Sequence, residues 1–159
     1  MKLYLKQKVF SWGDKFSVYD ENGTPCYQVR GEVFTFGKKL HLCNLQDEEL
    51  AFIHQKVFSF LPKYYISRNG TDVAAVVKHF TFFKQEYSVE GLGWQVHGNF
   101  WDHAYEVMDG DRTVASVAKR WFSWGDTYEI WIPDGIDEIM ALAVVLVIDA
   151  CIEASNSNN

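Results

Sequence analysis

The sequence predicts a closed antiparallel barrel of twelve strands wrapped around its own C-terminal helix, and three observations carry that prediction. A phrase close to Phe-Ser-Trp returns six times in 159 residues, led by Phe10, Phe34, Phe58, Phe80, Phe100 and Phe122. A second apolar beat follows each about eight residues later, at Val18, Leu42, Ile66, Val89, Val107 and Ile130, usually with an aromatic two residues before it. The chain then closes on ten uninterrupted apolar residues, Ile139 through Ile148. A period of 20 to 24 residues marks one supersecondary unit laid down six times.

Each unit reads as two strands. The opening strand runs from Leu3 to Lys8, and Tyr27 to Phe34 shows the period-two alternation of β-branched and aromatic residues that suits a half-buried strand through the leading Phe. A polar break follows each Phe, as in Gly13-Asp14-Lys15, Gly37-Lys38-Lys39, Leu61-Pro62-Lys63 and Phe83-Lys84-Gln85. The second strand then runs to the Val, Leu or Ile beat. Between units stand stronger turn signals, Asn22-Gly23, Asn69-Gly70, Gly91-Leu92-Gly93 and Asp109-Gly110, whose residues accept positive φ and favour hairpins. Asn44 to Glu49 is one longer loop, and the strands end near Ile132. An open meander of this size would leave two adhesive edges, so closure is expected. Twelve strands about 4.8 Å apart and tilted roughly 40° enclose about 24 Å, more than facing side chains fill.

The filler is the last segment. Ile136 to Glu153 lacks Gly and Pro and is apolar on nearly every side, the pattern of a helix buried all round. Asp134 is the expected N-cap, with Asp137 and Glu138 in the first turn where the helix dipole favours negative charge. A membrane span needs about 20 apolar residues, and a run bounded by Glu138 and Asp149 fits a core helix better. One domain over residues 1–154 is expected, with 155–159 a frayed tail.

Composition narrows the class. A chain 48% hydrophobic and 16% aromatic is not disordered. Cys26, Cys43 and Cys151 are odd in number and lack metal-motif spacing, which fits buried thiols in a reducing compartment. The N-terminus has no apolar signal-peptide core, so a cytoplasmic location is expected, peripheral at the membrane if a lipid is the ligand. Charge is lopsided: residues 1–84 hold 12 basic against 8 acidic side chains, residues 85–159 hold 3 against 13, and the net is −6. That balance argues against wrapping nucleic acid, whose phosphates are held by neutralising cations.

The aromatic Phe-Ser-Trp-Gly-Asp strands, the Asn-Gly-Thr hairpins and the terminal apolar helix together resemble the tubby-like superfamily, specifically the LURP-one-related proteins and their small bacterial counterparts. The resemblance spans nearly the whole chain and rests on structural rather than catalytic motifs. It implies a twelve-stranded closed barrel around a central C-terminal helix. Tubby C-terminal domains, which bind phosphoinositides, and phospholipid scramblases are among the relatives it implies.

On the repeat, Lys15, Lys39 and Lys63 fall five residues after a leading Phe, with Lys38 and Lys84 beside that phase. They are expected to share one rim, opposite Asp20, Glu21, Asp47, Glu48, Glu49, Glu90, Asp109, Asp111 and Asp134. Two readings stay open for the lysines. They could attract an anionic head group, or they could balance the negative end of the helix. The remaining chemistry is thinner. His97, Asp102 and His103 form one local cluster with metal-ligand residue types, but the five histidines fit surface or half-buried positions. Ser11, Ser59 and Ser123 recur by repeat phase without a paired base and acid. The tryptophans fall mostly in core or wall phase, and Arg30, Lys56 and Lys78 in outer-wall phase.

These residues favour a non-enzymatic binding or regulatory module that contacts anionic phospholipid or a partner protein, with no cofactor, metal or transmembrane span. The alternative is a carrier or enzyme for a small apolar ligand held between barrel wall and central helix.

Overall fold

A computed structural model describes residues 1–6, 15–33, 35–80, 85–122 and 125–157, the side chains at 121, 122, 125, 126, 156 and 157 excepted. Twelve strands run β1 (Lys2–Lys6), β2 (Lys15–Asp20), β3 (Pro25–Gly31), β4 (Lys39–Cys43), β5 (Glu49–Gln55), β6 (Lys63–Arg68), β7 (Thr71–Phe80), β8 (Gln85–Glu90), β9 (Trp94–Asn99), β10 (Ala104–Asp109), β11 (Arg112–Phe122) and β12 (Gly125–Trp131). Each pairs antiparallel with its sequence neighbours, and β1 pairs with β12, so the sheet closes on itself. Closure removes the free edges that an open meander would present.

The repeat beats become two tiers of the interior. Val18, Leu42, Ile66, Val89, Val107 and Ile130 form one tier, and Phe16, Leu40, Tyr64, Tyr87, Tyr105 and Tyr128 form the next; all are buried. Two-residue spacing puts both tiers on the same face of the even-numbered strands. Helix α1 (Glu138–Ser157) fills the space they enclose, with Met140 through Ile152 buried without a break. None of its residues is left to face water along that stretch, which is why its apolar character wraps all round.

Three expectations are corrected. The helix N-cap is Asp137, whose Oδ1 accepts the Met140 backbone N–H at 3.1 Å, while Asp134 sits in the preceding turn. The helix spans Glu138–Ser157 where Ile136 to Glu153 was expected, and Ser155 Oγ donates to the Cys151 carbonyl at 2.9 Å in its last turns. The leading Phe phrases lie in strands only in part: Phe80 and Phe122 close β7 and β11 as expected, whereas β3 ends at Gly31, Phe36 and Phe60 stand in connections, and Phe58 and Phe100 occupy turns. Alternation carried the strand too far because the apolar residues of these connections continue the pattern without pairing.

The connections after odd-numbered strands gather at one end of the barrel and those after even-numbered strands at the other. α1 starts at the second end, where Arg68 Nη1 donates to Asp137 Oδ2 at 2.6 Å and Tyr27 donates to Glu138. It finishes at the first. Asn69 and Gly70, at φ 51° and 77°, make the primed turn that their sequence predicts.

Candidate functional site

The end of the barrel where α1 finishes is the candidate site. Its lysines are held by the strands around it. Lys39 Nζ lies 3.5 Å from Glu32 Oε2, and Lys63 Nζ donates to Glu90 Oε2 at 3.0 Å while standing 5.4 Å from the Tyr65 ring. Strand tilt makes the second pair: Tyr65 aligns with Ala75 and Ala75 with Glu90, so a carboxylate from the far end of β8 comes level with the start of β6. Both ammonium groups are thus engaged on the outer wall. Lys15 is exposed at the start of β2, and Lys84 lies outside the described residues.

Lys38 behaves differently. Gly37, at φ 75°, turns the chain back so that the Lys38 N–H donates to Gln55 Oε1 and its carbonyl accepts the Gln55 N–H at 2.8 Å. Burial lowers the Lys38 ammonium pKa, and Cys151 and Glu153 of the helix pull against that. Lys78 goes further in. Its side chain is only 4% exposed, with Nζ donating to Ser155 Oγ at 3.2 Å and standing 5.0 Å from the Phe80 ring. Burial lowers its pKa as well. The outer-wall expectation for Lys78 is therefore corrected: it shares the inward face of β7 with Ala74 and Val76, a phase visible in the sequence. Arg30 does lie on the wall, 3.5 Å from Asp47, and Lys56 is exposed.

α1 carries no basic residue in its last turn. The barrel supplies the cations that the negative helix end favours, through Lys38 and Lys78 rather than through Lys39 or Lys63. Just inside stand Cys151, whose thiol burial pushes up to about 12, and Tyr87, whose buried hydroxyl has no hydrogen-bond partner among the described residues. A pocket of about 10 Å³ reaches Ile152 and Ser155 from Trp101, room for roughly one water. One turn deeper, Asp149 is 4% exposed and its Oδ1 lies 3.4 Å from His103 Nδ1, while the His103 ring stacks on Tyr128 at 4.6 Å. His103 is thus an interior residue where a surface or half-buried position was expected, while His97 is exposed as expected. No group of three or more His, Cys, Asp or Glu among the described residues could hold a metal ion.

Around this mouth the side chains are aromatic and exposed. Phe58 and Phe60 stand wholly in solvent, Phe36 is 90% exposed, and Phe80 and Trp101 are more than half exposed. Trp94 is buried and Trp131 lies half in solvent on the wall, in keeping with the core or wall phase expected of most tryptophans, whereas Trp101 stands exposed in a connection. Ser59 sits in the same exposed connection as its neighbours Phe58 and Phe60, while Ser11 and Ser123 lie outside the described residues. Beside Trp101 the β8–β9 ladder stops after three residue pairs, and a cleft of about 410 Å³ opens against His97, Asn99 and Gln85. Gly98 is fixed there: a Cβ would come within 2.4 Å of the Ala104 carbonyl.

No helix among the described residues is long and apolar enough to cross a membrane. Comparisons with known proteins agree with the architecture. A family model described as LURP-one-related matches residues 1–149. The uncharacterized protein YxjI of Bacillus subtilis (strain 168) is 36% identical over 149 residues, covering 94% of this chain and 92% of that protein. An X-ray structure of an Arabidopsis thaliana protein superimposes with a TM-score of 0.64 at 17% identity, covering 96% of this chain and 91% of that one. At that identity the likeness shows a shared fold.

Proposed function

The chain belongs to the LURP-one-related family, and we propose that it is a non-enzymatic binding module that docks anionic phospholipid head groups at the open, lysine-bearing end of its barrel. The observation that carries this reading is electrical. Lys15, Lys38, Lys56 and Lys78 gather at the end where the helix finishes, against Glu32 and Asp102 in its described connections, while the connections at the opposite end carry Glu21, Asp47, Glu48, Asp111, Asp134 and Asp137 against Arg68 and Arg112 at the adjoining strand ends. A molecule with that dipole turns its basic end toward a negative surface, even though its net charge is −6.

The two inner lysines add affinity for a phosphate. Lys38, which also faces Glu153, is the more exposed of the two, and its ammonium group has already lost part of its water, so a phosphate oxygen reaching it replaces little further hydration and gains a charge-assisted hydrogen bond, while Lys78, 4% exposed and bonded to Ser155, adds its positive field from inside. Lys39 and Lys63 contribute less, since Glu32 and Glu90 already neutralise them. The carrier alternative has no support at the helix end, where the pocket beside Ile152 has room for no more than a water.

Co-sedimentation with phosphatidylserine vesicles tests the reading. The triple variant Lys15→Glu, Lys38→Glu, Lys56→Glu should lose binding by roughly a hundredfold, at about 1 kcal/mol per cation removed and further repulsion from each carboxylate added. Lys39→Glu with Lys63→Glu should lose far less. Equal losses from both sets, or wild-type protein that ignores anionic vesicles while a soluble partner protein binds it, would rule the reading out.

A further inference from the structure

Resting on that docking reading, we infer that the same end carries an insertion surface: the rings of Phe36, Phe58, Phe60 and Trp101 enter the interfacial layer of an anionic bilayer while the lysines around them hold its head groups. Isolated exposed apolar side chains need no explanation. These are not isolated. Of the exposed large aromatic residues described, Phe36, Phe58, Phe60, Phe80 and Trp101 all stand at the lysine end, and Trp131 alone lies elsewhere.

Phe58 supplies an independent argument. Its backbone sits at φ 61°, a left-handed turn conformation that suits Gly or Asn and strains a bulky side chain. Its ring touches nothing that would compensate, being wholly exposed. A glycine would serve the turn better, so neither the local backbone nor the core accounts for a phenylalanine there. The repeated phrase makes the same point at larger scale. The inward tiers at Phe16 and Val18 and their counterparts fill the barrel, whereas Phe36, Phe58 and Phe60 add nothing to that packing.

Aromatic rings ringed by lysines match the chemistry of a bilayer interface, where amphipathic rings settle at head-group depth and cations meet lipid phosphates. A second copy of this chain is less well matched, because an identical basic end would face it. The acidic far end, repelled by the same surface, sets the barrel upright with its mouth toward the lipid.

The test uses the full chain and vesicles of phosphatidylserine and phosphatidylcholine, in low salt and near 0.5 M, where the Debye length falls to a few ångströms. Wild-type protein should keep part of its binding in high salt, and brominated acyl chains should quench a fluorescence component that Trp101→Phe removes. The variant Phe36→Ser, Phe58→Ser, Phe60→Ser should lose roughly tenfold or more in high salt and retain its salt-sensitive binding in low salt. Phe58→Gly should raise Tm while weakening high-salt binding, a pairing that a packing role would not produce. Unaltered high-salt binding in the serine variant, absence of quenching, or a lower Tm in Phe58→Gly overturns insertion and leaves head-group docking standing. Wild-type protein that binds no vesicle at either salt defeats both. A dimer that dissociates on the serine substitutions assigns the surface to a second copy instead.

Discussion

Inside the barrel the Asp149 carboxylate faces His103, with no hydrogen-bond partner for Oδ2 among the described residues and with Tyr105 and Cys151 nearby. Burial raises its pKa above 3.8, and the contact with His103 offsets part of the rise. Between those two values the native state keeps a proton that the unfolded chain has released. The contribution of Asp149 to stability is therefore greatest below about pH 4 and falls as pH climbs through the raised native pKa. Asp149→Asn removes the penalty, so the Tm difference between variant and wild type should grow in favour of the variant from about pH 4 to pH 8, read by scanning calorimetry. A difference that shrinks over that range would mean that the carboxylate is stabilised as an anion by His103. The sequence showed Asp149 only as the residue that ends an apolar run. Its partner comes from a connection forty-six positions earlier, where nothing in the spacing distinguishes an inward histidine from an exposed one.

The helix and the strands that hold it were the most legible elements, and for one reason: each is long enough to show its period. Tyr64 and Ile66, or Tyr128 and Ile130, sit two apart in the sequence and therefore on one face, and six copies of that spacing describe a lining. The end of β7 was legible in the same way, since Lys78 continues the phase of Ala74 and Val76, but a lysine on an inward face runs against composition, which favours the outer wall. Element ends were harder. Asp134 and Asp137 are equally good caps by residue type, and Gly135 at φ 77° decides between them by turning the chain once more before the helix begins. Val144→Asp tests the element that everything else surrounds. An unpaired carboxylate at that fully buried position should cost several kcal/mol and leave the chain unfolded or molten by near-ultraviolet dichroism. A well-folded variant would mean that α1 is not enclosed.

At the scale of the whole molecule, alternation of connections gives the barrel two unlike ends, one lined with carboxylates and one with lysines and exposed rings. The sequence disclosed the lysine phase, because repeat spacing assigns residues to ends. It did not disclose which lysines stay engaged on the wall, since the pairing of Lys63 with Glu90 depends on strand tilt across two neighbours. Nor did it separate an aromatic phrase that lines a barrel from one that crowns it; that distinction needs the points at which pairing stops. Hydrogen exchange of the backbone, followed with and without phosphatidylserine vesicles, measures the orientation that this polarity implies. Protection should rise in residues 32–38, 56–62 and 100–103 and stay unchanged in residues 21–24, 44–48 and 132–137. Protection confined to the acidic end, or spread evenly along the wall, would contradict the account.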